Sequence, residues 1–448
     1  MKTIFNILLD SVRCFHSPLP RRGWGRSYLF AFLIAFSIFS LPSFGGVGRG
    51  HWPEGYVRVD GPNLVQADGK QLKIRGTNLG NWLNPEGYMF GFKKVNSPHF
   101  IDEMLCQLVG PDEAAAFWAE YKDRYITRED IKFIASCGAN VIRLPFHYKL
   151  FTDEDFMGLT AHQDGFARVD QVVEWCREFH LYLILDMHDC PGGQTGDNID
   201  DSYGYPWLFT SEASQQKFCD IWQRIANRYK DEPVILGYEL MNEPIAHYFQ
   251  DDLKMLFAAL EPLQKRAVAA IRQVDKKHIV LLGGAIWNST FDPVFSDWTY
   301  DDNIMYSCHR YGGEPTADAI RSFIDFRDKT GLPMYMGELG HNTDEWQSRF
   351  VETMEQNNIG WTFWPFKKVD NSCWLGITRP AEWDSIVNFA EADRSSYELI
   401  RKARPDQALS RRLLREYLNN VAASRCTVQS SYLKSIGLTP QSPRRGAH

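Results

Sequence analysis

Glu243 closes the run Leu236-Gly237-Tyr238-Glu239-Leu240-Met241-Asn242-Glu243-Pro244, and Glu338 closes the run Pro333-Met334-Tyr335-Met336-Gly337-Glu338. Each reads as a buried strand that ends in an ionisable group. Burying a carboxylate there is costly unless it is paired or has a proton to carry. A single Asn-Glu-Pro is most often just a polar strand end turning into a loop. Two glutamates on two strands of the same build supply what glycoside hydrolysis needs, one carboxyl as acid/base and one as nucleophile.

Those strands belong to a longer series. Apolar, strand-like runs recur at Leu72–Gly76, Ala139–Leu144, Leu181–Asp186, Val234–Glu239, His278–Gly283, Asn303–Cys308, Pro333–Gly337 and Ile359–Trp364. Helical stripes lie between most of them, such as Val169, Val172, Val173, Cys176 and Phe179, or Phe218, Ile221, Trp222, Ile225 and Tyr229. Eight strand–helix alternations predict an α/β fold, a (β/α)8 TIM barrel. Before it, Tyr56 to Ile74 alternates apolar and polar around Asp68-Gly69, which predicts a β-hairpin turning there. Two insertions interrupt the alternation. Leu79 to Gly138 follows the first strand, with helices near Pro98–Val109 and Asp112–Arg124 and a Thr127/Asp130 capping box. Cys190 to Thr210, rich in Gly, Asp and Tyr, follows the third and reads as a cleft-lining loop. The catalytic barrel is expected over residues 51–394. Residues 395–448 are expected to form a helical extension on the barrel's outside, its helix ending near Val421 and its tail, Gln441 to His448, frayed.

Composition narrows the classes. A net charge of −7 offers no basic footprint for nucleic acid. Fourteen Trp suit sugar-binding faces, although most large aromatics serve the core. Residues 1–50 hold Arg21, Arg22 and Arg26, an apolar run from Tyr28 to Leu41, then Ser43, Gly45 and Gly46; this is a leader pattern and predicts export. The run is short for a membrane span, so no membrane contact is expected beyond the leader. None of the nine cysteines forms a Cys-x-x-Cys pair, so no metal is expected; Cys190 and Cys373, both in loops, are candidates to pair.

In such barrels the loops after the strands carry the active site. Strand two ends in Arg143-Leu144-Pro145, strand three in Asp186-Met187-His188-Asp189, strand four in Asn242-Glu243, strand six in His309-Arg310-Tyr311, strand seven in Glu338 and strand eight in Trp364. Any one of these has a structural explanation. Together they make a joint signal.

On these residues the chain resembles glycoside hydrolase family 5, the cellulase-like retaining enzymes, from roughly Gly55 to Asp393. The resemblance implies that Glu243 is the acid/base and Glu338 the nucleophile, with Arg143, His188, Asn242, His309, Tyr311 and Trp364 binding substrate around them. Asp186 and Asp189 are weaker candidates, Asp186 as a structural partner for Arg143 or for a backbone amide. Arg75-Gly76-Thr77-Asn78-Leu79-Gly80-Asn81-Trp82-Leu83-Asn84-Pro85-Glu86 resembles the family's exo-β-1,3-glucanase branch, which implies a terminal-sugar role for Glu86. Gly340-His341-Asn342 and Trp364-Pro365-Phe366-Lys367-Lys368 depart from that branch. The expectation is a monomeric, exported β-glycosidase that acts on a β-linked oligo- or polysaccharide without a cofactor. The alternatives are a β-1,4-endoglucanase, a mannanase, a glycolipid hydrolase, or a carbohydrate-binding barrel that has lost turnover.

Overall fold

The structure, a computed structural model, describes residues 55–158 and 164–440. The leader and the tail from Gln441 lie outside the described residues. Among those residues, no helix is long and apolar enough to cross a membrane.

Two short antiparallel strands, β1 (Arg58–Asp60) and β2 (Asn63–Val65), open the chain. Their turn is Gly61-Pro62, seven residues earlier than the sequence led us to expect. Asp68-Gly69 makes a second reversal instead, closed by a bridge between Val65 and Gln71. Both reversals carry turn residues, and the alternation alone did not say which one joins the paired strands.

Eight parallel strands then close a barrel: β3 (Arg75–Asn78), β4 (Val141–His147), β5 (Tyr182–Asp189), β6 (Ile235–Glu239), β7 (Ile279–Gly283), β8 (Ile304–His309), β9 (Met334–Glu338) and β10 (Gly360–Phe363). Each pairs with its sequence neighbours, and β10 returns to β3. Strands buried on both faces sort their side chains by period two. In β5, Leu183, Leu185 and Met187 pack outward into the large core under the helices, while Tyr182 and Ile184 face the barrel interior. Val57 and Leu64 of the hairpin join that interior cluster, which also holds Leu72, Ile74, Val141 and Ile279. The lower barrel is therefore apolar, and polar groups are left to its upper rim.

The first insertion carries helices Pro98–Val109, Pro111–Arg124 and Arg128–Ser136, the last opened by the Thr127/Asp130 capping box. The helix Gln407–Asn420 packs on the first two of these rather than on the barrel, with Tyr417 stacked against Trp383 and Tyr121. That helix ends at Asn420, near the expected Val421, and further elements follow it. After β11 (Lys367–Val369) and β12 (Leu375–Ile377), β13 (Thr427–Val428) adds to β12, and the helix Ser430–Ser435 packs on Asp344–Gln356. Buried Lys367 ties these parts together, with Asp130 at 2.5 Å and its ammonium donating to the Tyr125 and Val421 carbonyls at 2.8 Å. Cys190 and Cys373 do not pair. Both are buried free thiols; Cys190 lies against the Met187 carbonyl at 3.8 Å and Cys373 against that of Leu375 at 3.2 Å.

Candidate active site

Three slips in strand register aim the polar rim. Between β4 and β5, His147 pairs with Asp189 directly after Phe146 pairs with Met187, so His188 is the extra residue. Leu236 is extra where β6 meets β5, and this turns Gly237 and Glu239 toward the interior. Gly337 is extra in β9, and Glu338 follows it. A one-residue bulge re-aims every side chain after it, which is how a strand can bury apolar residues below and present a carboxylate above. A Cβ on Gly337 would lie 2.4 Å from Ser307 Oγ and 2.9 Å from His309 Nε2, so no larger residue fits there.

Arg143, fully buried on β4, is the hub. Its Nε and Nη2 donate to the two oxygens of Glu239 at 2.9 and 3.0 Å, and Nη1 donates to Asn78 at 3.0 Å and to Glu338 Oε1 at 2.7 Å. Nη2 also donates to Asn242 Oδ1 at 2.9 Å and lies 3.0 Å from Asp186. The Tyr311 hydroxyl donates to the other Glu338 oxygen at 2.7 Å. Burial pushes the Glu338 carboxyl up, while the Arg143 charge and the Tyr311 bond hold it down. Both of its oxygens are therefore fixed in place.

Glu243 has the opposite surroundings. Its Oε1 lies 2.8 Å from His309 Nδ1, and among the described residues no lysine or arginine pairs with it. Burial raises its carboxyl well above the ordinary range, and the negative charge of Glu338 raises it further. His309 stays neutral, since burial and then the Arg143 charge push its imidazole well below the usual value. One oxygen of each glutamate and one His309 nitrogen all lie within 4.8 Å of one another. Such a trio has the donor types to hold a cation. Arg143 and Tyr311 already occupy the Glu338 oxygens, however, so the arrangement is better suited to moving protons.

The Glu243 backbone sits at φ +45°, a left-handed geometry that costs a non-glycine residue on the order of 1–3 kcal/mol and persists only where the surroundings enforce it. The second insertion enforces it here. Gln194 Nε2 donates to the His188 and Asn242 carbonyls, both at 2.7 Å, and Thr195 Oγ1 donates to the Glu243 carbonyl at 2.8 Å. Asp200 holds that loop in turn by accepting the Thr195 and Gly196 N–H groups at 2.6 and 2.8 Å.

The cavity above these groups measures about 400 Å³ and is lined by Glu86, Tyr88, His188, Ile199, Asn242, Glu243, Tyr311, Glu338, His341, Trp364 and Lys368. Trp364 stacks on His188 with centroids 5.2 Å apart and planes 6° off parallel. Gly80 makes room for it, since a Cβ there would meet the indole at 2.8 Å. His188 bonds Asp186 at 2.7 Å and Asn242 at 3.1 Å; burial drives it down to about 3, so it is neutral at pH 7. Glu86, reached from the first insertion, is pushed up to about 8 by burial and then by the Glu338 charge, which makes it a protonated carboxyl at neutral pH. A second cavity of about 560 Å³ shares Ile199, Glu243 and Tyr311 with the first and extends past Ile286, Trp287 and Arg310.

The nine residues given catalytic or binding roles from the sequence gather at one mouth: Glu243, Glu338, Arg143, His188, Asn242, His309, Tyr311, Trp364 and Glu86. Asp186 pairs with Arg143 and His188. Asp189 is fully buried and makes no hydrogen bond through its carboxylate among the described residues; burial and then the charges of Asp201 and Asp200 raise it. Glu239, Gln194, Thr195, Tyr88, His341 and Lys368 were missed. Only Glu239 gave a signal, as an acid inside an apolar strand.

The model of the family described as Cellulase (glycosyl hydrolase family 5) matches residues 102–369. A protein named beta-xylosidase from Phanerodontia chrysosporium is 27% identical over 366 residues, covering 74% of this chain and 75% of its own. Endoglucanase C of Acetivibrio thermocellus is 26% identical over 330 residues, covering 60% of this chain and 92% of its own. Among solved structures, a rutinosidase from Aspergillus niger superposes with a TM-score of 0.56 at 20% identity, covering 67% of this chain and 91% of that one, a likeness of fold. With the barrel, the paired glutamates and the family match in agreement, the chain is a glycosidase and belongs to glycosyl hydrolase family 5.

Proposed function

We propose that the protein hydrolyses β-glucosidic bonds of a β-glucan or related β-glucoside with retention, by double displacement. One observation carries this reading: two buried carboxyls within 4.8 Å of a shared histidine, one clamped by a cation and a phenol, the other raised by burial and left to a neutral imidazole. Retaining enzymes keep their carboxyls about 5–5.5 Å apart, whereas inverting ones leave room for water at about 6.5–9.5 Å. Glu243 gives its proton to the glycosidic oxygen as that bond breaks, and the leaving group departs as an alcohol. Glu338 forms an ester bond to the anomeric carbon. Glu243, now ionised, takes a proton from water, the water oxygen attacks the anomeric carbon, and the ester breaks to restore both groups.

The other residues follow from their positions. Asn242 has its oxygen on Arg143 and its amide near His188, so the remaining N–H is free for the sugar 2-hydroxyl, a contact that tightens in the oxocarbenium-like transition state. Trp364 floors the reacting sugar, and protonated Glu86 offers it both a donor and an acceptor. The second cavity, on the Glu243 side, takes the leaving group. The leader pattern supports export, and the protein acts as a monomer with residues 51–394 as its catalytic domain and 395–448 as an extension. The name of the Acetivibrio relative supports a β-glucan; that of the Phanerodontia relative favours a β-xyloside as the second reading.

A substrate panel tests this. Aryl β-glucoside, aryl β-xyloside, laminarin, cello-oligosaccharides, mannan and glucosylceramide should be compared by kcat/KM. The glucoside and one glucan should be turned over, and the glucoside should exceed the xyloside by about tenfold or more, the usual worth of filling a pocket with one extra group. Binding of glucan without turnover of any arm would establish the carbohydrate-binding barrel instead.

A further inference from the structure

We propose that Tyr88 and His341 form a bar across the glycone end of the cleft and confine cutting to the terminal sugar. The inference rests on the reading above that Glu243 faces the leaving group, because that assignment makes the opposite cavity the glycone side.

The two residues reach the bar from different places. Tyr88 stands on the short turn Gly87–Phe90 of the insertion after β3, and His341 follows β9. Between those strands lies β10, whose end supplies Trp364, the sugar's floor. The bar therefore spans the mouth just where a second sugar on the glycone side would have to leave. Trp364 Nε1 donates to the Tyr88 hydroxyl at 2.7 Å, and that hydroxyl meets His341 Nε2 at 3.3 Å. Because Trp364 fills an acceptor site, the Tyr88 proton is free to be donated to His341. His341 can accept it, since burial and then the Lys368 charge push its imidazole down to about 4.

The bar is also anchored at both ends. His341 stacks on Tyr311 with centroids 5.8 Å apart and planes 23° off parallel, and Tyr311 is the residue that holds Glu338. Its backbone is fixed at φ +50°. Behind it, buried Lys368 donates to the Val369 carbonyl at 3.3 Å and closes the cavity wall. Tyr88 is 40% exposed, so its ring stands at the rim rather than in the core. His341 and Lys368 lie in the two segments that depart from the exo-glucanase branch.

The test uses reducing-end-labelled laminarihexaose and cellohexaose with the full chain, comparing parent, Tyr88→Ala, His341→Ala and the double variant. The parent should shorten its preferred hexaose one sugar at a time. Each single variant, and the double variant more strongly, should release labelled fragments shortened by two or more sugars at once. The ratio of kcat/KM for hexaose over disaccharide should rise about tenfold or more, equivalent to opening a subsite worth about 1.4 kcal/mol. His341→Gln, which keeps an acceptor for Tyr88, should retain the single-sugar pattern; loss of that pattern would mean the hydrogen bond is not what closes the cleft. Internal fragments from the parent, or an unchanged pattern in the double variant, would overturn the bar while leaving the glycosidase reading in place. If the parent cuts neither hexaose nor an aryl β-glucoside, the underlying assignment fails and the bar with it.

Discussion

Glu243→Ala is expected to hydrolyse an unactivated β-glycoside about 10²–10⁴-fold more slowly than the parent, the usual worth of general acid–base catalysis. On an aryl glycoside with an activated phenolate it should instead show a burst. Such a leaving group needs no proton, so the ester on Glu338 still forms; it then accumulates because no base activates water. Added azide should attack that ester and give a β-glycosyl azide. Glu338→Ala deletes the nucleophile, so no burst should appear with any leaving group. Azide could then enter only from the vacated face, giving the α-product. The surroundings of the two groups make the assignment directional: Glu243 is raised well above its ordinary range with no lysine or arginine paired to it among the described residues, and Glu338 is held by Arg143 and Tyr311. A burst in Glu338→Ala with the α-azide from Glu243→Ala would reverse the roles.

Arg143→Met should damage both fold and chemistry. It strands Glu239 and Asp186, both fully buried, along with Glu338. Removing one partner of a buried pair costs about 3–5 kcal/mol, which chemical denaturation would read directly. The pH–rate profile carries the second effect. On its acidic side, activity falls as Glu338 gains a proton; on its alkaline side, as Glu243 loses one. Burial already raises Glu338, and Arg143 opposes that rise. Without the guanidinium the Glu338 pKa climbs further, so the acidic limb must move toward neutral pH; Arg143 also holds Glu243 down, so the alkaline limb moves up with it. Arg143→Lys keeps the charge but not the fork of donors, so it should fold better than the methionine variant and shift the limb less. An unmoved acidic limb in the lysine and methionine variants would show that Arg143 does not set the ionisation of Glu338.

Much of the site was legible because barrel strands write it plainly: an apolar run, then polar residues where the strand leaves the core. Arg143, His188, Asn242-Glu243, Glu338 and Trp364 were all found that way. The bulges at His188, Leu236 and Gly337 were not, because an extra residue shows only in how a strand pairs with its neighbour, not in the strand's own sequence. Glu239 stood out as an acid inside an apolar run but was read only as part of its strand, although it binds Arg143 through both oxygens. Nor could composition show that Gln194 and Thr195 brace a left-handed Glu243, since their partners are backbone carbonyls about fifty residues away in sequence. The chain beyond Val421 fell outside the reading because its anchors are singular contacts, such as the Thr439 N–H on the Cys137 carbonyl, rather than a periodic face.

Retention itself is open to one direct observation. Proton NMR can follow the anomeric signals of the first sugar released by the parent from an aryl β-glycoside, before mutarotation mixes them. Two displacements, first by Glu338 and then by water activated at Glu243, return the anomeric carbon to its starting configuration, so the β-anomer should appear first and the α-anomer only later. An α-anomer that appears first would mean a single displacement by water, and the paired roles of Glu243 and Glu338 would be wrong.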